Sequence, residues 1–158
     1  MRKNLIFGTL AVCAVMVFSS SVVLAADNWM GTWKLDVAKS KFSPGPGPKS
    51  QTLKWEATPA GTKHTSDGVS ADGKATHGSY TSKWDGEDVP YEGNPNADMA
   101  SPKKVDDNTY TSTLKKAGKV TVTAKVVVSA DGKTLTVTQT GKTAKGEEIN
   151  TTAVYEKQ

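Results

Sequence analysis

From Gln51 to the C-terminus the chain is a succession of short threonine- and valine-rich runs, divided by Asp-Gly, Ala-Gly and similar pairs at hairpin spacing. β-Branched residues suit a pleated strand because their restricted χ1 is already compatible with it. A glycine in the dividing pair supplies the positive φ that a tight hairpin requires. No segment after residue 42 shows a helical period, so this pattern restricts the chain to antiparallel β-structure. Strands are expected near 52–57, 62–69, 75–84, 88–91, 99–105, 109–115, 120–129, 134–140 and 149–156. Residues 29–36, WMGTWKLD, add one before them, with Trp29, Gly31, Trp33 and Leu35 on one face and Met30, Thr32, Lys34 and Asp36 on the other. The expectation is an all-β, antiparallel up-and-down barrel of about 8–10 strands, with little or no helix.

Three hairpins allow a register to be argued. A two-residue turn at Asp131-Gly132 pairs Val128 with Leu135, Val126 with Val137 and Ala124 with Gln139, bringing the apolar sets to one face. In the preceding hairpin a two-residue turn would set Lys115 against Val120 and mix faces. A three-residue loop at Lys116-Ala117-Gly118, pairing Leu114 with Val120, Ser112 with Val122 and Tyr110 with Ala124, is expected instead. Ala144-Lys145-Gly146 then pairs Gly141 with Ile149, Val137 with Ala153 and Leu135 with Tyr155. The four strands from 109 to 156 thus share one inward face, Val120 included. That face carries Ser112, Gln139 and Thr151, the composition of an interior that holds water or a ligand.

The N-terminus has Arg2 and Lys3, an apolar run from Leu5 to Phe18, and Val23-Leu24-Ala25-Ala26. This is the form of an export signal over residues 1–25, cleaved after Ala25 or Ala26, which leaves one domain over 26–158. A bacterial periplasmic or extracellular protein is expected, with no stable membrane insertion after cleavage. Cys13, the single cysteine, leaves with the leader, so the mature chain has no disulfide and no thiolate. Loss of Arg2 and Lys3 takes the basic residues from 20 to 18, against 16 carboxylates. Such a balance does not point to nucleic acid, and the lysine pairs at 103–104 and 115–116 do not interleave with aromatics. The mature chain has no arginine to grip a carboxylate or phosphate bidentately.

The middle of the chain is polar. Residues 43–48, SPGPGP, form a stiff extended connection. A two-residue turn at Asp72-Gly73 would set His64 opposite Thr81 and His77 opposite Gly68. A two-histidine metal site is therefore disfavoured, and both rings are expected to be solvent-facing or lightly buried. Asn94-Pro95-Asn96-Ala97-Asp98 lacks the glycine and glutamate that complete a calcium loop and reads as a turn. No local signature joins a hydroxyl nucleophile to an oriented histidine, so neither an enzyme nor a cofactor is expected. Pro90, Pro95 and Pro102 weaken ladder pairing and predict a gap or sheet edge near 90–102.

The aromatics remain as candidates for function. Trp33, Trp55, Tyr80, Trp84, Tyr110 and Tyr155, with Gln139, fall on inward faces and are the candidate lining of a cavity for a small hydrophobic or amphiphilic ligand. On the alternative reading they fill the barrel, and the protein is a structural or interaction protein of the cell envelope whose partner the sequence does not identify.

The two ends resemble a known group. Gly31-Thr32-Trp33-Lys34-Leu35 is similar to the G-x-W strand of lipocalins and intracellular fatty-acid-binding proteins, the calycins. Thr152-Ala153-Val154-Tyr155-Glu156-Lys157 resembles the last strand of the fatty-acid-binding proteins. Lys39-Ser40-Lys41-Phe42-Ser43-Pro44-Gly45-Pro46, with Pro48-Lys49-Ser50, resembles small exported bacterial lipocalin-like proteins of unassigned function. The resemblance implies a calycin barrel that binds ligand in its lumen. The chain departs from it in three places. Ala153 stands where the fatty-acid-binding proteins carry the arginine of Arg-x-Tyr, leaving only Tyr155. The Pro-Gly loop replaces their helical lid. The late-strand arginine that lipocalins stack on the G-x-W tryptophan is also missing.

Overall fold

The computed structural model describes residues 27–143 and 145–158. The expected leader, with Cys13, and Ala144 of the last hairpin lie outside the described residues. Ten strands follow one another: β1 (Gly31–Lys41), β2 (Ser50–Thr58), β3 (Gly61–Val69), β4 (Ala75–Ser82), β5 (Val89–Pro90), β6 (Met99–Lys104), β7 (Thr109–Lys116), β8 (Lys119–Val128), β9 (Thr134–Lys142) and β10 (Glu148–Lys157). They form one antiparallel sheet in the order β4-β3-β2-β1-β10-β9-β8-β7-β6-β5. The first strand lies against the last, Leu35 opposite Tyr155, which curls the meander into a barrel.

The barrel is nearly closed. Between its two edges, β4 and β5, a single bridge joins Ser79 to Glu92, each donating its N–H to the other's carbonyl at 3.0 Å. The proline-rich segment thus ends the sheet as expected, since Pro90 and Pro95 have no N–H with which to continue the ladder. Gly93 sits at this seam with φ +75°, and a Cβ there would meet the His77 carbonyl at 2.2 Å. Only glycine allows the edges to approach so closely.

Inward and outward residues alternate along β7–β10, and the inward set is the expected one with a single exception. Val120 is exposed, at 61%. The β7–β8 hairpin closes on a two-residue turn, Ala117-Gly118, with Lys116 paired to Lys119 and Lys115 to Val120. The register then shifts so that Leu114 faces Val122 and Tyr110 faces Val126. A bulge at Thr121, whose hydroxyl donates to the Asn96 carbonyl at 3.0 Å, restores the face that a regular ladder would have lost. Both turn residues have positive φ, 49° at Ala117 and 75° at Gly118, the form favoured in two-residue hairpins. Ala117 is strained there, so Ala117→Gly is expected to raise stability by about 1 kcal/mol, read from urea denaturation. The backbone N–H that Ala117 donates to the Asp98 carboxylate at 3.0 Å is retained in that variant.

The other two registers follow the expectation: Val128 faces Leu135 and Val126 faces Val137, and Val137 faces Ala153. The β3–β4 hairpin does not. Val69 pairs with Ala75, so the loop is centred on the three residues Ala71-Asp72-Gly73, with Gly73 at φ +89°. His64 therefore faces Tyr80 and His77 faces Asp67. The same six residues, Val-Ser-Ala-Asp-Gly-Lys, recur at 128–133 and close one residue wider. The Lys74 carbonyl accepts from Ser70 N–H in the first hairpin, whereas Thr134 takes that place opposite Ser129 in the second. A turn sequence alone does not set register; the strand residues that must point inward do.

β1 also runs past residue 36 to Lys41, through an irregularity between Asp36 and Lys41. Asn150 N–H donates to the Ser43 carbonyl at 2.9 Å, which ties the start of the Pro-Gly loop to β10.

The buried core falls into two clusters, and the larger one contains the closed end of the barrel. Residues 27–30 cross the base of the barrel, held by Asn28 N–H on the Asp107 carbonyl and by the Trp33 indole N–H on the Trp29 carbonyl at 2.7 Å. Trp29 packs on Trp84 and Tyr110, with both ring pairs 5.5 Å apart, and Leu35, Leu135 and Val128 complete this plug. Lys157 lies 5.0 Å above the Trp33 ring. This places a cation over the face of a buried indole. Trp84 follows β4 rather than ending it, at φ 64°.

Candidate functional site: an aromatic lumen open at one end

The opposite end of the barrel is open. A cavity of about 630 Å³ runs from the mouth down to the aromatic plug. Its rim is built from the Pro-Gly loop, the β3–β4 hairpin and residues 93–96. Asn94 and Asn96 form a turn there, with Asn96 N–H donating to the Asn94 side-chain oxygen at 2.8 Å.

Five of the seven residues singled out in the sequence line this space: Trp55, Tyr80, Tyr110, Gln139 and Tyr155. Trp33 and Trp84 belong to the plug beneath it. His64 and Tyr91 line the cavity as well, and neither is among the seven. For His64 the signal lies in the β3–β4 register: one residue's difference turns it from a partner of Thr81 into a partner of Tyr80.

That register sets Trp55, His64 and Tyr80 side by side across β2, β3 and β4. Their rings form a continuous wall, Trp55 to His64 at 4.8 Å and 39°, His64 to Tyr80 at 4.7 Å and 36°. Tyr91 extends it across the seam, edge-on to Tyr80 at 5.2 Å. Instead of being solvent-facing or lightly buried, His64 is 6% exposed. Burial lowers its pKa from 6.5 to about 3, so the ring is neutral in ordinary buffers. His77 does lie outside, with Nδ1 at 2.6 Å from the Asp67 carboxylate.

The facing wall, β7–β10, is aliphatic with polar points. Ser112, Ala124, Gln139 and Thr151 are register partners in turn across the four strands. Thr151 is engaged by the Pro-Gly loop, its hydroxyl accepting from Ser43 N–H at 3.2 Å. The Tyr155 phenol donates to the Gln51 side-chain oxygen at 2.6 Å, and the Gln51 amide donates to Ser66 at 2.7 Å. Burial raises the phenol pKa values of Tyr80, Tyr91, Tyr110 and Tyr155, keeping all four neutral. Three buried polar atoms on lining residues, Trp55 Nε1, His64 Nδ1 and Ser112 Oγ, have no hydrogen-bond partner in the protein. No lysine or arginine lines the cavity among the described residues.

No protein-family model and no curated protein matches the chain. Among solved structures the chain is similar to a redesigned β-barrel, mFAP1, bound to DFHBI, at 14% identity over 84% of this chain and 98% of that one, with a TM-score of 0.47. It is similar also to a de novo designed fluorescence-activating β-barrel, at 15% identity over 85% and 97% of the two chains, with a TM-score of 0.45.

Proposed function

We propose that the protein is an exported, lipocalin-like carrier that holds a small hydrophobic or amphiphilic molecule in its lumen without covalent chemistry. One observation carries the reading: the open cavity of about 630 Å³ walled by Trp55, His64, Tyr80 and Tyr110. Its size lies within the range of about 300–1,000 Å³ typical of small-molecule sites. A barrel filled for structural reasons alone would leave no such space beside these rings. The neutral His64, with no carboxylate on its Nδ1, has nothing to orient it as a general base, which supports binding rather than catalysis. Export rests on the leader-like N-terminus.

Trp55 is the one tryptophan on the cavity lining among the described residues. A panel of long-chain alcohols, aromatic alcohols and quinones is expected to contain compounds that raise the melting temperature and quench tryptophan emission. In Trp55→Phe most of the quenching is expected to vanish while the thermal shift persists. A panel that produces no thermal shift contradicts the carrier reading.

A further inference from the structure

We infer that the lumen selects a neutral, planar aromatic molecule whose polar group docks on His64 or Ser112, and that it rejects carboxylates of the same shape. The inference rests on the carrier reading and specifies its ligand class. Three observations lead to it. The Trp55–His64–Tyr80 wall is a set of near-stacked rings with Tyr91 edge-on at its end, a surface on which a flat ring finds offset and edge contacts together.

Second, His64 Nδ1 and Ser112 Oγ stand on opposite sides of the lumen, each on a side chain more than nine-tenths buried and each without a partner in the protein. A buried polar atom without a partner is costly, and a ligand hydroxyl or carbonyl that reaches it removes that cost. A neutral imidazole offers one donor and one acceptor, and a serine hydroxyl offers both, so either complements an uncharged polar group.

Third, the lining has no cation to match an anion. Its only carboxylate among the described residues, Asp72, sits in the β3–β4 hairpin at the rim, paired with Lys74 at 2.9 Å. A carboxylate drawn into this lumen would lose its water without gaining a counter-charge.

The test is equilibrium dialysis of the mature chain at pH 7.5 with naphthalene, 2-naphthol, 2-naphthoate and dodecanol. Naphthol is expected to bind about tenfold more tightly than naphthalene, the worth of one net hydrogen bond. It is expected to bind at least about a hundredfold more tightly than naphthoate. At least one of Ser112→Ala and His64→Phe is expected to reduce the naphthol-to-naphthalene affinity ratio several-fold. Ser112→Ala is also expected not to lower the melting temperature, because it removes an unpartnered atom; a structural serine would show a loss. Naphthoate binding as tightly as naphthol overturns the inference, and so does a naphthol preference unchanged in both variants. Binding of dodecanol without any of the three aromatics overturns it while the carrier reading stands. No binding of any of the four overturns both.

Discussion

Trp33→Ala is expected to lower the unfolding free energy by about 3–5 kcal/mol, the cost of truncating a large aromatic in a packed core. Trp33 is 0% exposed, and its indole N–H satisfies the Trp29 carbonyl at 2.7 Å. Truncation therefore removes packing, frees a buried acceptor and loosens the segment that closes the barrel base. The site has little freedom to collapse, because β1 is paired on one side with β2 and on the other with β10, Trp33 itself lying between Leu53 and Lys157. For a domain whose total stability is about 5–15 kcal/mol the loss is a large fraction. It would appear in urea denaturation as a lower midpoint at unchanged slope. A loss below about 1 kcal/mol would contradict the packing of this end as a plug. Because Trp33 does not line the cavity, the folded fraction is expected to keep its affinity for an aromatic alcohol.

The strand series and most of the inward face are legible in the sequence because alternation in the C-terminal half is strict. Leu135, Val137, Ala153 and Tyr155 leave one register in which all point inward, and the barrel adopts it. Where alternation weakens, local rules fail in two ways. At Lys115 and Val120 a regular ladder disfavours the two-residue turn because it mixes faces; the chain uses that turn and corrects the faces with the Thr121 bulge, which no pairing count on a regular ladder contains. At β3 the run Thr62-Lys63-His64-Thr65-Ser66 has no aliphatic residue, so nothing in it identifies an inward side. The inward side is set by Trp55 and Tyr80 on the neighbouring strands, between which His64 stacks. A histidine read locally belongs outside. Read with its partners, it is the middle of an aromatic wall. The closed end is half legible: alternation places Trp29 and Trp33 together, but only the fold shows Trp84 and Tyr110 joining them and leaving Trp55 to the cavity.

His64 also gives the fold a specific sensitivity to acid. In the unfolded chain its imidazole binds a proton below about pH 6.5, whereas in the barrel burial defers protonation to about pH 3. Between those values the unfolded state carries the extra proton, so stability falls as pH falls, with a slope approaching about 1.4 kcal/mol per pH unit. The titratable groups stacked around it, Tyr80 and Tyr91, have raised pKa values and stay neutral throughout. Asp36, Asp72, Asp88 and Asp131, whose pKa values are lowered by lysine and serine partners, stabilise the fold above the ordinary carboxylate range and lose that contribution only at lower pH. The interval from pH 6.5 to 4.5 therefore isolates the histidine. Wild-type protein is expected to lose about 2 kcal/mol more than His64→Phe across it, measured by urea denaturation at each pH. Parallel curves for the two proteins would show that His64 is hydrated in the native state rather than enclosed between Trp55 and Tyr80. The enclosed ring ties the fold to the proposed ligand: burial between Trp55 and Tyr80 keeps His64 neutral, so the wall offers a carboxylate no counter-charge.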